Sequence, residues 1–294
     1  MRIRDLILRT DGNKMQRRDF LKIIGAGAAF SIMPSILKAD EQENNGEKSR
    51  EALKENSEGA AECKKVPILM YHAINRQDSI YSRTPRRFTK DLEYLYENGY
   101  LLASIEELVN GSIRADKPVI LTFDDARGSQ FRLDENNNVD SNCAVGIMED
   151  FCGSHPDFGK KAIFYVSFSS NAAFGQRSKV EYKLKWLLDN GYELGNHTMR
   201  HTNMASCSLA EFKDTILDCK DEFEKHLGER ASLVKSFCFP YCAVPRDEEK
   251  WDFLRQCFTS ATIGGGRSYC NDDLFKIPRF GIQNTTSIER IMRL

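Results

Sequence analysis

Short, mostly apolar runs alternate with segments of helical periodicity from residue 66 onward. The runs are predicted to be strands. They are Val66–Tyr71, Val119–Phe123, Ala162–Val166, Tyr192–His197, Ser236–Phe239 and Thr259–Ile263. Segments in which apolar residues recur with the period of a helix are predicted to be helices. They are Phe88–Asn98, a short helix from Ser104 to about Gly111, Val145–Phe151, Val180–Asp189, Leu209–Leu227 and Glu248–Cys257.

This alternation predicts an α/β fold with a mostly parallel sheet. Polar residues that could carry chemistry follow directly after predicted strands, as His72, Asp124 and His197 do. In α/β barrels the C-terminal ends of the strands carry the active site. We therefore expect these side chains to meet at one rim of the fold.

The N-terminal region has the pattern of an export signal. Arg17 and Arg18 precede the weakly apolar run Ile23–Leu37, and a small residue follows at Ala39. The run is shorter than the roughly 20 apolar residues that span a bilayer, and the arginine pair resembles a twin-arginine signal. We predict that residues 1–39 are read by the twin-arginine export machinery and that the folded protein reaches the periplasm or cell envelope, without a stable membrane span. An amphipathic helix with a chance arginine pair is the alternative.

Composition separates two further regions. Residues 40–65 are rich in Glu, Asn, Lys and Gly, which predicts a flexible linker, and residues 66–294 are predicted to form a single folded domain. The formal net charge is −1, and no basic stripe with interleaved aromatic residues indicates nucleic acid. The nine cysteines are odd in number, and a protein folded before export is expected to keep most of them reduced.

Two polar clusters contain possible metal ligands. Asp124 and Asp125 end a buried strand, where one carboxylate can bind a cation while its neighbour, pointing elsewhere, faces a bound water. His197 and His201 are two of only five histidines, and on a helical turn this spacing lets both reach one ion. A turn or helix cap is the alternative for the aspartates, and solvent exposure for the histidines.

A third cluster, Phe239-Pro240-Tyr241, breaks a strand at a proline. Such a turn can present the Tyr241 N–H to a developing oxyanion, although alone it is an ordinary strand end. Combined with the other clusters, Asp125, His197 and His201 make a two-histidine, one-carboxylate ligand set. That set suits hydrolytic zinc and also serves iron(II) in oxygenases.

In this order the three clusters resemble the motifs of the polysaccharide deacetylases with a NodB-homology domain, carbohydrate esterase family four. The resemblance covers about residues 66–294, with the NodB-homology core at about 116–294. It implies a distorted (β/α) barrel that forms a single catalytic domain.

The resemblance also implies a role for each matching residue. Asp124 would be the general base, and one divalent metal, expected to be zinc, would be held by the other three polar side chains. The implied ligands are Asp125, His197 and His201, and the implied substrate-groove and oxyanion residues are Pro240 and Tyr241.

Several positions depart from the family pattern. Ala126 and Cys242 stand where glycine is usual, and Cys238 stands where many members carry an arginine that holds the base. Arg279, which is counted among the substrate-binding residues, is the candidate to replace that arginine at Asp124, and pairing with a surface acid is the alternative. The family's late histidine, its general acid, has no counterpart, so His72 is the best remaining proton donor, with a structural role as the alternative.

The predicted activity is removal of N-acetyl groups from N-acetylglucosamine units of a cell-envelope or extracellular polysaccharide. One alternative keeps the site and hydrolyses another linear amide C–N bond. A second is a non-catalytic carbohydrate-binding homologue, which the missing acid and the replaced glycines favour. A thiol-redox role for Cys238 and Cys242 is a weaker alternative, because their spacing is not the usual redox spacing.

Overall fold

A computed structural model describes residues 65–76, 79–168, 173–270 and 273–293. The predicted signal region and nearly all of the predicted linker lie outside the described residues, so both remain predictions. Among the described residues, no helix combines the length and apolar character needed to cross a membrane.

Seven parallel strands form a closed barrel. The strands of the chain are β1 (Ile68–Tyr71), β2 (Ala73–Ile74), β3 (Ser82–Arg83), β4 (Leu101–Leu102), β5 (Pro118–Asp124), β6 (Ile163–Val166), β7 (Glu193–Asn196), β8 (Ser236–Cys238), β9 (Ser260–Gly264) and β10 (Ile277–Gly281). Strands β5 to β10 follow one another around the barrel, and β1 closes it by pairing with both β5 and β10. β4 adds to the first residues of β5, and β2 pairs with β3 in a separate parallel ribbon. The predicted α/β barrel is confirmed.

Helices alternate with the barrel strands. They are α1 (Pro85–Glu97), α2 (Ile105–Val109), α3 (Ala144–Ser154), α4 (Val180–Asp189), α5 (Leu209–Leu227), α6 (Glu248–Cys257) and the short α7 (Ile288–Ile291). α1 begins at Thr84, whose hydroxyl accepts from the Arg87 N–H, and buries Phe88, Leu92 and Leu95. The bounds of α4, α5 and α6 are those that the apolar spacing predicts.

Apolar side chains of the barrel strands belong to two hydrophobic clusters. On β5, Leu121 and Phe123 pack in the larger cluster, which includes buried residues of helices α1, α3 and α4. Ile120, directly before Leu121 in sequence, belongs to the smaller cluster with residues of β1, β6, β8 and β10. Because successive strand residues point to opposite faces, Thr122 and Asp124 share the inner face with Ile120. The period of the strand therefore directs Asp124 into the barrel mouth.

Two of the differences from the predictions concern the candidate site. The segment from His197 to His201 is not a helical turn, because Thr198 and His201 have φ angles of 65° and 54°, in the left-handed region. Strand β10 was not predicted, since a proline and an arginine interrupt its apolar residues. The described cysteines have free thiols except Cys270, which is disulfide-bonded.

Candidate active site

A cleft of about 1310 Å³ opens at the C-terminal ends of the barrel strands. Residues that are far apart in sequence line it together, and among them are most of the predicted site residues. These are His72, Asp124, Asp125, His197, His201 and Tyr241. Parallel strands bring their carboxyl ends to one rim, which explains how loops after β1, β5, β7 and β8 supply one site.

Three possible ligand atoms converge in this cleft. Oδ1 of Asp125 lies 3.4 Å from Nε2 of His197 and 3.2 Å from Nε2 of His201. All three atoms lie within 4.8 Å of one another. Oδ1 is buried and has no hydrogen-bond partner among the described residues, although a buried carboxylate oxygen normally has one. A divalent cation between the three atoms would satisfy it, so this donor set fits a zinc-type site.

The ring of His197 is oriented for such a site. Its Nδ1 lies 2.9 Å from the carbonyl oxygen of Cys238. A carbonyl can only accept, so Nδ1 carries a hydrogen, and Nε2 is the ring atom that faces Asp125 and could bind a cation when it is unprotonated. The histidine is 1% exposed, which keeps this orientation fixed.

Strained backbone is concentrated in the three clusters. Six of the eight non-glycine residues with positive φ among the described residues lie there, and they are Asp125, Ala126, Thr198, His201, Tyr241 and Cys242. Ala126 and Cys242, which replace the family's glycines, have φ angles of 50° and 54°. Left-handed backbone costs a non-glycine residue roughly 1 kcal/mol, so the chain keeps the motif geometry at that cost.

Arg127, which the sequence analysis did not select, holds the other oxygen of Asp125. Its Nε and Nη2 lie 2.8 Å and 2.7 Å from Oδ2. Oδ1 is thereby left facing the two histidines. The pKa of Asp125 is well below its usual value, because contacts with His197 and His201 outweigh burial, which would raise it. An arginine two residues after an aspartate is too common a pattern to have singled out this role.

Asp124 is held by Arg279. The guanidinium places Nη1 2.7 Å from Oδ1 and Nη2 2.8 Å from Oδ2, and both side chains are almost fully buried. Arg279 also contacts the Sγ of Cys238 at 3.0 Å. Burial alone would raise the pKa of Asp124, but the charge of Arg279 outweighs it and lowers the pKa. Of its two predicted positions, Arg279 occupies the one at Asp124.

His72 faces the two aspartates. Burial lowers its pKa below the usual value and outweighs the charges of Asp124 and Asp125, which raise it. Gln130, a second residue that the sequence analysis did not select, fixes this region. Its side-chain nitrogen donates to the carbonyl oxygens of His72 and Asp124 at 2.8 Å and 2.6 Å. One buried amide thus joins the ends of β1 and β5.

Tyr241 stands at the opposite side of the site. Its ring centroid lies 4.4 Å from that of His201, and the residue is 68% exposed. Pro240, directly before Tyr241, is buried. Unlike Tyr241, it does not line the cleft.

Fold and site together define a (β/α) barrel protein with a candidate metal site at its C-terminal rim. Residues 112–257 match the family model described as polysaccharide deacetylase. This segment, just under half of the chain, is thus similar to the polysaccharide deacetylases.

Known proteins of similar sequence and structure agree with this assignment. YxkH of Bacillus subtilis (strain 168), named as a polysaccharide deacetylase, is 22% identical over 176 residues, which cover 58% of this chain. The match spans about half, 55%, of YxkH. The Streptococcus pyogenes deacetylase PplD in complex with acetate superposes with a TM-score of 0.63 at 21% identity, covering 79% of this chain and 98% of PplD. BC0361, a polysaccharide deacetylase from Bacillus cereus, superposes with a TM-score of 0.62 at 21% identity, covering 79% of this chain and 69% of BC0361.

Proposed function

We propose that the protein is a metal-dependent hydrolase that removes N-acetyl groups from N-acetylglucosamine units of a cell-envelope or extracellular polysaccharide. The observation that carries the proposal is the convergence of the Asp125 Oδ1 and the two histidine Nε2 atoms beside the buried, ionised Asp124. A carboxylate that stays charged next to a cation site is the arrangement that general-base hydrolysis requires.

Asp125, His197 and His201 would hold one divalent metal, which we expect to be zinc. When bound, zinc supplies Lewis acidity that polarises a carbonyl and lowers the pKa of water. Other residues of the chain hold the ligand side chains in position. The carbonyl oxygen of Cys238 orients His197, and Arg127 orients Asp125.

Asp124 would remove the proton from the attacking water. Arg279 keeps both oxygens of this carboxylate in place and keeps it ionised at neutral pH. The price is a weaker base, because a lowered pKa reduces its affinity for the proton. Burial in the barrel mouth offsets part of this loss, because removal of the carboxylate from water favours its protonated form.

Tyr241 and His72 would complete the reaction. The turn after β8 holds Tyr241 at a φ of 57° next to His201, where its N–H would stabilise the developing oxyanion. His72 would protonate the leaving amine. Its lowered pKa keeps the ring mainly neutral at neutral pH, so the proton that it passes to the nitrogen would be the one that Asp124 removes from the attacking water.

Replacing the base tests this proposal. Asp124→Asn should reduce acetate release from an N-acetylglucosamine oligomer by about 100-fold or more, while the bound metal, measured by elemental analysis, stays at the wild-type level. Undiminished acetate release from the variant would exclude Asp124 as the base.

We further propose that the protein is exported through the twin-arginine machinery. The support is the arginine pair at Arg17 and Arg18 before a short apolar run. A reporter fused to residues 15–65 should be exported, and replacing both arginines by lysine should abolish export. Export of the fusion in cells without that machinery would contradict this proposal.

A further inference from the structure

Tyr81 is an exposed aromatic residue in the same cleft as the candidate active site. It is 53% exposed, and its ring centroid lies 5.5 Å from that of His72, with the two planes inclined by 52°. It lies outside the segment that matches the deacetylase family model. An exposed tyrosine beside a reaction centre commonly serves as a contact surface, since its ring offers apolar area and its hydroxyl stays in water.

The backbone of Tyr81 is held firmly although its ring is exposed. The N–H of Ala73, directly after His72, donates to the Tyr81 carbonyl oxygen at 3.0 Å. The next residues form β3, where Arg83 is buried and bonds to Asp91 and to three carbonyl oxygens of the segment after β10. The ring is therefore presented on a fixed support, which limits the entropy lost when a ligand binds.

Tyr241 is a second exposed tyrosine at the candidate active site. Tyr241 contacts His201, whereas Tyr81 contacts His72. Both residues line the cleft that also contains Asp124 and Asp125. A ligand that meets both rings would therefore lie in the cleft of the candidate metal site.

We propose that Tyr81 binds the sugar ring next to the one that is deacetylated, by stacking on the apolar C–H face of a pyranose. This inference rests on the proposed function and deepens it, because it selects a polymer of several sugar rings over a single sugar. The position follows from the contacts in the cleft: the Tyr81 ring contacts His72, whereas His197 and His201 contact Asp125. Tyr81 is therefore placed beside the proposed reaction centre and not among its metal ligands.

Calorimetric binding of N-acetylglucosamine tetramer and monomer tests the inference. Measured on the Asp124→Asn protein to prevent turnover, Tyr81→Ala should raise the Kd for the tetramer about 5- to 10-fold and leave that for the monomer unchanged. Tyr81→Phe should keep the wild-type affinity. Tyr182→Ala is the matched control, since Tyr182 is 43% exposed but does not line the described cleft.

Kinetics with the tetramer provide a second readout. Without the Asp124→Asn change, Tyr81→Ala should raise KM by the same factor and leave kcat within about two-fold of its original value, the pattern of lost uniform binding. The inference is overturned if Tyr81→Ala behaves like Tyr182→Ala, or if the tetramer does not bind. If the tetramer binds through Tyr81 but wild-type protein releases no acetate, the proposed function fails and the binding site stands.

Discussion

Asp124 and Asp125 are neighbours in sequence but have opposite surroundings. Asp124 points into the barrel mouth, is 3% exposed and pairs with Arg279. Asp125 follows the end of β5 with a φ of 79° and faces the two histidines. The turn of the chain between them separates the carboxylate that Arg279 holds from the carboxylate that faces the two histidines.

Arg127 should set the metal affinity of the site. Arg127→Gln removes the contacts that hold Oδ2 of Asp125, so the affinity for zinc, measured by competition with a chromogenic chelator, should fall about 10- to 100-fold. Arg132→Gln is the control, because Arg132 also lines the cleft but pairs with Asp140. Equal affinities for the two variants would contradict a role for Arg127 in orienting the ligand.

Arg279 should stabilise the folded protein, in addition to keeping Asp124 ionised. Arg279→Met would leave the buried Asp124 without a counter-charge, and breaking a buried pair in this way typically costs about 3 to 5 kcal/mol. Urea unfolding should show this loss at pH 7 and a smaller loss at pH 4, where Asp124 can be protonated in the variant. A loss of the same size at both pH values would mean that packing, not charge, explains the effect.

The candidate side chains can be identified from the sequence, but the residues that contact them cannot. The aspartate pair, the histidine pair and Tyr241 stand out because their residue types and spacing are uncommon together. Arg127 and Gln130 do not stand out, because their contacts depend on backbone angles near β5.

Among the elements, helix α4 supports the wall of the cleft. Lys183 on this helix is fully buried, and its Nζ donates to the carbonyl oxygens of Phe131 and Phe174 at 2.7 Å and 2.9 Å. Phe174 lines the cleft, and Phe131 lies between cleft residues Ser129 and Arg132. A single side chain thus connects two loops that are distant in sequence.

The charge of Lys183 should make stability depend on pH. Burial lowers its pKa to about 7 from the usual 10.5. Between these values the unfolded chain binds more protons at this site than the folded chain, so the free energy of unfolding should rise with pH. Lys183→Met should lose this rise in urea unfolding at pH 7 and pH 9, and should be less stable by about 2 to 3 kcal/mol, because two carbonyl oxygens lose their donor.

Lys185→Met is the matched control for Lys183. Lys185 lies on the same helix, but it is exposed and pairs with Glu181. Exposed ion pairs contribute at most about 1 kcal/mol, so this variant should keep both the stability and the pH dependence of the wild type. If the two variants show the same pH dependence, Lys183 does not titrate as its burial implies.

Element prediction succeeded where apolar residues recur along one face of a helix. Helices α4, α5 and α6 have such faces, and their bounds agree with the periodicity. Strand β10 was not predicted, because the charged Arg279 interrupts its apolar inner face. The partners of Arg279 lie on β5 and β8. The His197–His201 turn escaped because left-handed angles at non-glycine residues have no marker in the sequence.

Across the whole molecule, the barrel extends beyond the segment that matches the family. Residues 112–257 include β5, β6, β7 and β8 but neither β1 nor β9 and β10. His72 and Arg279 also lie outside this segment. The alternation of predicted strands and helices predicts a parallel sheet with a functional rim. It does not predict that β1 closes the barrel, because β1 pairs with strands that are distant in sequence.

Because closure depends on β1, β9 and β10, a fragment of residues 112–257 should not fold. It would expose the edges of β5 and β8 and leave Asp124 without Arg279, and open edges of this kind promote aggregation. A fragment of residues 63–294, which keeps all seven barrel strands and forms one compact unit, should unfold cooperatively when followed by circular dichroism. The shorter fragment should show no cooperative transition and should elute as aggregates in size-exclusion chromatography. A cooperative transition in residues 112–257 would show that four strands suffice and that the catalytic rim can form without the closing strand.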